Sequence, residues 1–161
     1  MAKAISIIMG SESDLETVKE ALEILKKFKI GFRVKVLSAH RTPKELAKYV
    51  EQAPRQGVKI FLAAAGGSSA LSGVIAAHTT SPVIGIPIET KSLKGLDSLL
   101  STVQMPAGIP VAGMAIGKAG ARNAAIFALE ILAINNKSLK VKLSAYKKAM
   151  RAKIRKTKIK I

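Results

Sequence analysis

Short aliphatic runs alternate along the chain with segments whose apolar residues recur at helical spacing, and this alternation constrains the fold more than any other feature. The first run, 4–9, is almost continuously apolar, as is typical of a parallel strand covered on both faces. Further strands are predicted at 32–37, 58–65, 82–88 and 109–116. Strands that alternate with helices form βαβ units. The sequence therefore predicts an α/β fold, a three-layer α/β/α sandwich around a parallel sheet.

The intervening segments contain helix-start signals. Ser11 or Ser13 is placed to cap a first helix that runs to about residue 28. In the second helix, Thr42 as N-cap, Pro43 as first residue and Glu45 predict a capping box. Further helices are predicted at about 43–53, 70–78, 96–102 and 120–134, and from 138 onward.

The charge of the chain is concentrated at its C-terminal end. Of the 27 Lys and Arg residues, 11 lie in 136–161, where there is no Asp or Glu. We therefore expect an α/β domain at 1–135 and a basic C-terminal helix or extension at 136–161, not a separate domain. The four Phe and two Tyr residues are scattered, which argues against a nucleic-acid interface with stacking aromatics.

Two further classes of protein are disfavoured. No apolar run approaches the roughly 18 residues that a membrane span requires, and the chain has no Cys for a disulfide framework or a thiolate ligand. The first apolar run is too short for a signal peptide. We expect a cytoplasmic protein with no membrane partner.

Polar and glycine-rich segments follow the first three predicted strands, at 10–14, 38–41 and 65–69. In a parallel sheet these segments meet at the edge formed by the carboxyl ends of the strands, where ligands bind. Each allows a plain interpretation, as helix cap or tight turn, and a functional one, as a site for an anionic group. His40 can exchange protons near neutral pH, and Arg41 can bind phosphate or carboxylate through two parallel hydrogen bonds. The position of His40 and Arg41 beside these segments indicates a small anionic ligand. His78 lies late in a helical stretch and is expected to be structural.

Four blocks of sequence carry a resemblance to a known family: 9–14 (MGSESD), 38–43 (SAHRTP), 104–111 (QMPAGIPV) and 115–121 (AIGKAGA). They resemble the purine-biosynthesis family that makes carboxyaminoimidazole ribonucleotide, in colinear order over about residues 4–135. The resemblance implies a flavodoxin-like or Rossmann-like parallel sheet, a ribonucleotide substrate, a homo-oligomer with eight subunits (an octamer), and neither a cofactor nor a metal.

The family has two branches. The mutase moves a carboxylate from the exocyclic nitrogen of the substrate to its ring carbon, and the carboxylase takes up CO2 directly. Arg41 and the blocks at 66–67, 104–106 and 117–120 are similar to the mutase, whereas Ala70 stands where mutases usually have histidine. We favour the mutase, with the carboxylase as the alternative and a non-catalytic, nucleotide-binding flavodoxin-like domain as a second alternative.

The resemblance also implies roles for individual residues. His40 resembles the general acid and base, Ser11 and Arg41 would face the phosphate, and Asp14 would accept hydrogen bonds from the ribose hydroxyls. The polar segments at 10–14, 38–41 and 65–69 are called the first, second and third loops. The migrating carboxylate and the CO2 intermediate would lie against the third loop. The full set of expected substrate-binding residues is Ser11, Asp14, Ser38, Arg41, Gly66, Gly67 and Ser68.

Overall fold

A computed structural model describes residues 3–157. The strands are β1 (Lys3–Met9), β2 (Gly31–Val36), β3 (Ile60–Ala65), β4 (Val83–Pro87) and β5 (Ala112–Gly113). The helices are α1 (Leu15–Lys27), α2 (Pro43–Gln52), α3 (Leu71–Ala77), α4 (Leu96–Val103), α5 (Gly117–Ala133) and α6 (Lys137–Lys156). Two short 3-10 turns occupy Glu12–Asp14 and Pro54–Gln56. Each predicted helix and strand is present, with shifts at the ends.

The five strands form one parallel sheet in the order β2-β1-β3-β4-β5. The chain runs from β1 to β2 on one side and then crosses back to place β3 on the other side. This is the flavodoxin-like order, whose topological switch point lies between β1 and β3. The predicted fold class is therefore confirmed, and a crevice is expected at the carboxyl ends of these two strands.

Burial on both faces explains why apolar and polar residues do not alternate along β1 and β3. In β1 the five residues from Ile5 to Met9 are buried, and in β3 all six are. By contrast, β2 at the edge of the sheet is only half-buried, in accord with its alternating sequence. On one face, Leu46 and Val50 of α2 pack in a common core with residues of α3 and of the central strands. A covering of helices thus explains the unbroken hydrophobicity.

The first and fifth helices are joined by ion pairs on their exposed sides. Glu16 accepts a hydrogen bond from Lys118 at 2.9 Å, and Glu20 pairs with Arg122. The bond from Lys118, followed by that from Lys19, lowers the pKa of Glu16 below its ordinary value. These contacts connect the beginning and the end of the sheet-bearing part of the chain.

The fifth strand is much shorter than the predicted run 109–116. Only Ala112 and Gly113 pair with β4. Pro110 within the run has no N–H to donate to a ladder, and the single glycine contributes no side chain to pack. The expected strand is therefore wrong in length, although it lies at the predicted place in the sheet.

The chain forms two compact units, Met1–Ile126 and Phe127–Ile161. In the second, α6 begins at Asn136, whose side-chain oxygen accepts a hydrogen bond from the Leu139 N–H at 3.0 Å. Leu139 and Leu143 are buried, while the cationic side chains of α6 are exposed. The expected extension is helical as far as Lys156, and its last four residues lie outside the described part. The expected boundary at 135/136 stays a prediction.

No helix between residues 3 and 157 combines the length and the apolar character that crossing a membrane requires.

Candidate active site

A cavity of about 670 Å³ opens at the carboxyl ends of β1 to β4. Its size falls within the range of 300–1,000 Å³ that is usual for small-molecule sites. Six of the eight predicted site residues line it: Ser11, Asp14, Ser38, His40, Arg41 and Gly66. The three polar loops therefore meet around one space. Gly67 and Ser68 belong to the third loop but are not part of the cavity wall.

The first loop forms a capping box. The Ser11 side chain accepts a hydrogen bond from the Ser13 N–H at 3.4 Å, and Asp14 Oδ2 accepts one from the Ser11 N–H at 3.0 Å. The Ser13 hydroxyl also donates to Ser11 Oγ at 3.0 Å. These bonds leave the Ser11 hydroxyl proton free to donate to an anion. Ser11 therefore caps the 3-10 turn that leads into α1, whereas Asp14, the N-cap residue of α1 itself, makes no side-chain cap bond.

Asp14 is buried, with 7% of its surface exposed. Burial raises its pKa above the ordinary value of 3.8, because a carboxylate loses hydration. The Ser11 N–H and the positive charge of Arg41 oppose this effect. Because the groups around Asp14 do not offset this loss of hydration, its carboxyl can accept hydrogen bonds from a ligand's hydroxyl groups.

The second loop is tied to the first by Arg41. Its Nη2 donates to the Gly10 carbonyl oxygen at 2.8 Å, and its Nε lies 3.4 Å from Ser38 Oγ. The Ser38 hydroxyl also accepts from the Arg41 N–H at 3.2 Å. The guanidinium is therefore held at the cavity with its remaining N–H groups available for an anion.

The predicted capping box at Thr42 is wrong. Thr42 is the N-cap residue and Pro43 opens α2, but the Thr42 side chain makes no cap bond. Its hydroxyl instead accepts from the Ser38 N–H at 2.8 Å and donates to the Ser38 carbonyl at 3.1 Å. The Thr42 hydroxyl closes the 38–42 turn and therefore does not cap α2. The same two bonds hold the loop that carries His40 in place.

The two histidines lie in different environments. His40 is exposed and lines the cavity, and no residue between 3 and 157 forms a hydrogen bond with its ring. His78 lies outside this cavity, with its Nδ1 3.0 Å from Glu51 Oε1. His40 is thus the histidine with access to a bound ligand.

The third loop has a strained backbone. Gly67 has a φ of 67°, and Ser69 has a φ of 29°, which is unfavourable for a residue with a Cβ. The Ser69 hydroxyl, which is buried, donates to the Ala65 carbonyl at 3.1 Å. The N–H of Gly67, one of the predicted substrate-binding residues, donates to Ser98 Oγ at 3.0 Å. Of the predicted glycine pair, only Gly66 faces the cavity.

Sequence reasoning missed a fourth loop. Ile88, Glu89 and Thr90 follow β4 and line the same cavity. The signal that could have revealed them is position, because β4 pairs with β3 and ends at the same edge. The other wall residues not selected from sequence are Gly10, Ser13, Ala39, Ala65, Ser69, Ala70 and Leu71.

The chemistry available at the cavity is that of one imidazole, one guanidinium, two carboxyl groups and several hydroxyls. Within residues 3–157, no three His, Asp or Glu side chains are grouped so that they could hold a metal ion. The arrangement suits an anionic ligand with hydroxyl groups and a proton transfer by His40.

Comparisons with known proteins agree with this description. The model of the family described as AIR carboxylase matches residues 4–153. The N5-carboxyaminoimidazole ribonucleotide mutase of Pyrococcus abyssi is 52% identical over 147 residues, covering 91% of this chain and 83% of that protein. The mutase of Saccharolobus solfataricus is 47% identical, covering 96% and 97%. The crystal structure of Treponema denticola PurE has a TM-score of 0.85 at 27% identity, covering 93% and 92%.

Proposed function

Because the chain belongs to the AIR carboxylase family, we propose that it converts N5-carboxyaminoimidazole ribonucleotide to 4-carboxyaminoimidazole ribonucleotide. It is an enzyme of purine biosynthesis, and its relatives at about half identity carry the name of this mutase. The observation that carries the proposal is the meeting of Asp14, His40 and Arg41 around one cavity.

The first and second loops hold the ribonucleotide. Arg41 binds the phosphate together with the Ser11 hydroxyl, and Ser38 positions the guanidinium through its Oγ. Asp14 accepts hydrogen bonds from the ribose hydroxyls, which replace the hydration that burial removes. With both ends of the nucleotide fixed, the imidazole ring of the substrate is presented to His40.

His40 moves the proton that the reaction requires. The bond between the exocyclic nitrogen and the carboxylate carbon breaks, its electron pair stays on nitrogen, and His40 gives that nitrogen a proton as CO2 leaves. The ring carbon then attacks CO2, and His40 removes the proton from this carbon so that aromaticity returns. One proton is given and one is taken, so the reaction is an isomerisation. Such acid–base catalysis typically contributes about 10² to 10⁴ in rate.

The third and fourth loops retain CO2 between the two steps. Ala65, Gly66 and Ala70 line the cavity with side chains of one carbon or none, so that a small space remains beside the bound nucleotide. Holding CO2 next to the ring carbon raises its effective concentration far above that in solution.

The direct carboxylase remains the second candidate because of one residue. Ala70 lines the cavity and offers no proton, at the position where the resemblance to the mutase leads us to expect histidine. We further propose an octamer, which rests on the resemblance alone, and a cytoplasmic location, which rests on the composition of the sequence.

The test is a paired substrate assay. Purified protein is given the N-carboxylated nucleotide without bicarbonate or, separately, aminoimidazole ribonucleotide with bicarbonate, and product is followed by absorbance. Conversion of the first supports the mutase, and turnover of the second alone supports the carboxylase. Nucleotide binding with neither reaction supports the non-catalytic alternative.

The role of His40 is tested in the same assay. His40→Asn should bind the nucleotide normally but lower turnover by about 10² to 10⁴. The matched control is His78→Asn, which changes the histidine outside the cavity and should keep full activity. Near-normal turnover of His40→Asn would exclude its role as acid and base.

A further inference from the structure

Two hydroxyl side chains of α4 are fully buried behind the cavity. Ser98 has 0% and Thr102 has 1% of its surface exposed. Neither belongs to the cavity wall. A buried hydroxyl is costly unless it is hydrogen-bonded, so the partners of these two groups indicate what they do.

The Ser98 hydroxyl joins two loops of the cavity. It donates to the Ile88 carbonyl at 2.7 Å and accepts from the Gly67 N–H at 3.0 Å. Gly67 lies between residues of the third loop that line the cavity, and Ile88 is itself in the wall. One oxygen atom therefore sets the position of the third loop relative to the fourth.

Thr102, one turn further along α4, supports the same arrangement. Its hydroxyl donates to the Ser98 carbonyl at 2.8 Å and lies 3.4 Å from Ser69 Oγ. The Ser69 hydroxyl donates to the Ala65 carbonyl, and this carbonyl also accepts from the Ile88 N–H at 3.0 Å. The hydrogen bonds thus run from α4 through the third loop to the carboxyl ends of β3 and β4.

The third loop needs such support. The φ of 29° at Ser69 is one that residues with a Cβ rarely adopt, and such a conformation persists only when surrounding contacts hold it. Gly66 lies against the fourth loop, since a Cβ built on it would be 3.5 Å from the side chains of Ile88 and Thr90, an ordinary van der Waals distance. The third and fourth loops are therefore in contact where both line the cavity.

We propose that Ser98 is a positioning residue for the carboxylate transfer, which holds the third and fourth loops together so that CO2 cannot escape between the two chemical steps. This inference rests on the proposed function. Ser98 lies outside the cavity wall and so touches neither substrate nor CO2. Its hydroxyl acts through the positions of Gly66 and Ile88 in the cavity wall.

The test measures escape of CO2, which a loss of stability alone does not change. The N-carboxylated nucleotide is prepared with a ¹³C carboxylate and incubated with unlabelled bicarbonate, and the ¹³C content of the product is measured by mass spectrometry. Wild-type protein should transfer most of the label. Ser98→Ala should raise the unlabelled fraction of product about tenfold and lower turnover by about 10- to 100-fold.

The matched control is Ser101→Ala on the same helix. Ser101 is exposed, and its hydroxyl donates only to the Asp97 carbonyl, at 2.8 Å. This control should retain label as the wild type does. Thr102→Val, which removes a hydroxyl at nearly constant shape, serves as a second variant if Ser98→Ala does not fold, and it should also lose label.

The outcomes separate the two proposals. If the wild type makes no product from the N-carboxylated nucleotide, the proposed function fails, and the role of Ser98 fails with it. If the wild type turns over but Ser98→Ala, or Thr102→Val in its place, retains the label as well as Ser101→Ala, only the role of Ser98 is refuted. Equal loss of label in the wild type and all variants would show that the cavity wall does not retain CO2. That result would also refute the role of Ser98.

Discussion

Arg41 offers a quantitative test of the phosphate site. Its Nη2 already donates to the Gly10 carbonyl at 2.8 Å, and its Nε faces Ser38 Oγ at 3.4 Å. The Nη1 group, with two N–H bonds, remains for the phosphate. Arg41→Ala removes both the charge and these donors, while the backbone N–H of residue 41 can still donate to Ser38.

The magnitude follows from the number of lost hydrogen bonds. A hydrogen bond to a charged group contributes about 1.5 to 3 kcal/mol. Because Arg41 is exposed, we take the lower value for each of two bonds to phosphate, which gives about 3 kcal/mol. This corresponds to a Kd roughly 150-fold weaker. Arg41→Lys keeps the charge but cannot reach Gly10 and the phosphate together, and the loss of one such bond weakens binding about tenfold.

Titration calorimetry with the product nucleotide measures these changes. Lys44→Ala is the matched control, because it removes one exposed positive charge three residues away, outside the cavity. It reports the long-range effect of charge alone, which salt screens. A Kd for Arg41→Ala within threefold of the wild type, or an equal loss in Lys44→Ala, would refute the phosphate assignment.

Two further predictions concern stability. Because the pKa of Asp14 is raised in the folded state, its contribution to stability is present at low pH and is lost as pH rises through the raised value. Asp14→Asn should therefore gain stability relative to the wild type as pH rises from about 3.8, and a constant difference in Tm between pH 3 and 7 would contradict this. Gly120→Ala should destabilise the fold by about 3 kcal/mol or more, because its Cβ would lie 1.6 Å from the Ala115 carbonyl oxygen. In urea unfolding, Gly73→Ala is the control, because its Cβ meets only the flexible end of Met105 at 3.3 Å, and an equal loss in both variants would refute the packing argument.

The order of elements was predictable because it depends on hydrophobic patterning. The unbroken apolar run of β1 and the three polar segments after the first strands were enough to place one cavity at one edge. The capping signals were less reliable. Ser11 and Thr42 are each followed three residues later by an acidic residue, yet only Ser11 forms the box, since the hydroxyl of Thr42 bonds to Ser38.

The supporting parts of the site could not be predicted from the sequence. Nothing in the sequence of α4 distinguishes Ser98 from Ser101, although one is buried against two loops and the other is exposed. The difference depends on which face of a short helix turns towards β4. Likewise, the sequence predicts Gly67 as a substrate-binding residue, whereas its N–H donates to Ser98, 31 positions away.

The ion pairs between α1 and α5 have a consequence for synthesis on the ribosome. Glu16 and Glu20 leave the exit tunnel early, but Lys118 and Arg122 lie 102 positions later in the chain. Contacts of such long separation form late. A nascent or prematurely terminated polypeptide that ends before residue 118 therefore exposes these carboxylates without their distant counterions.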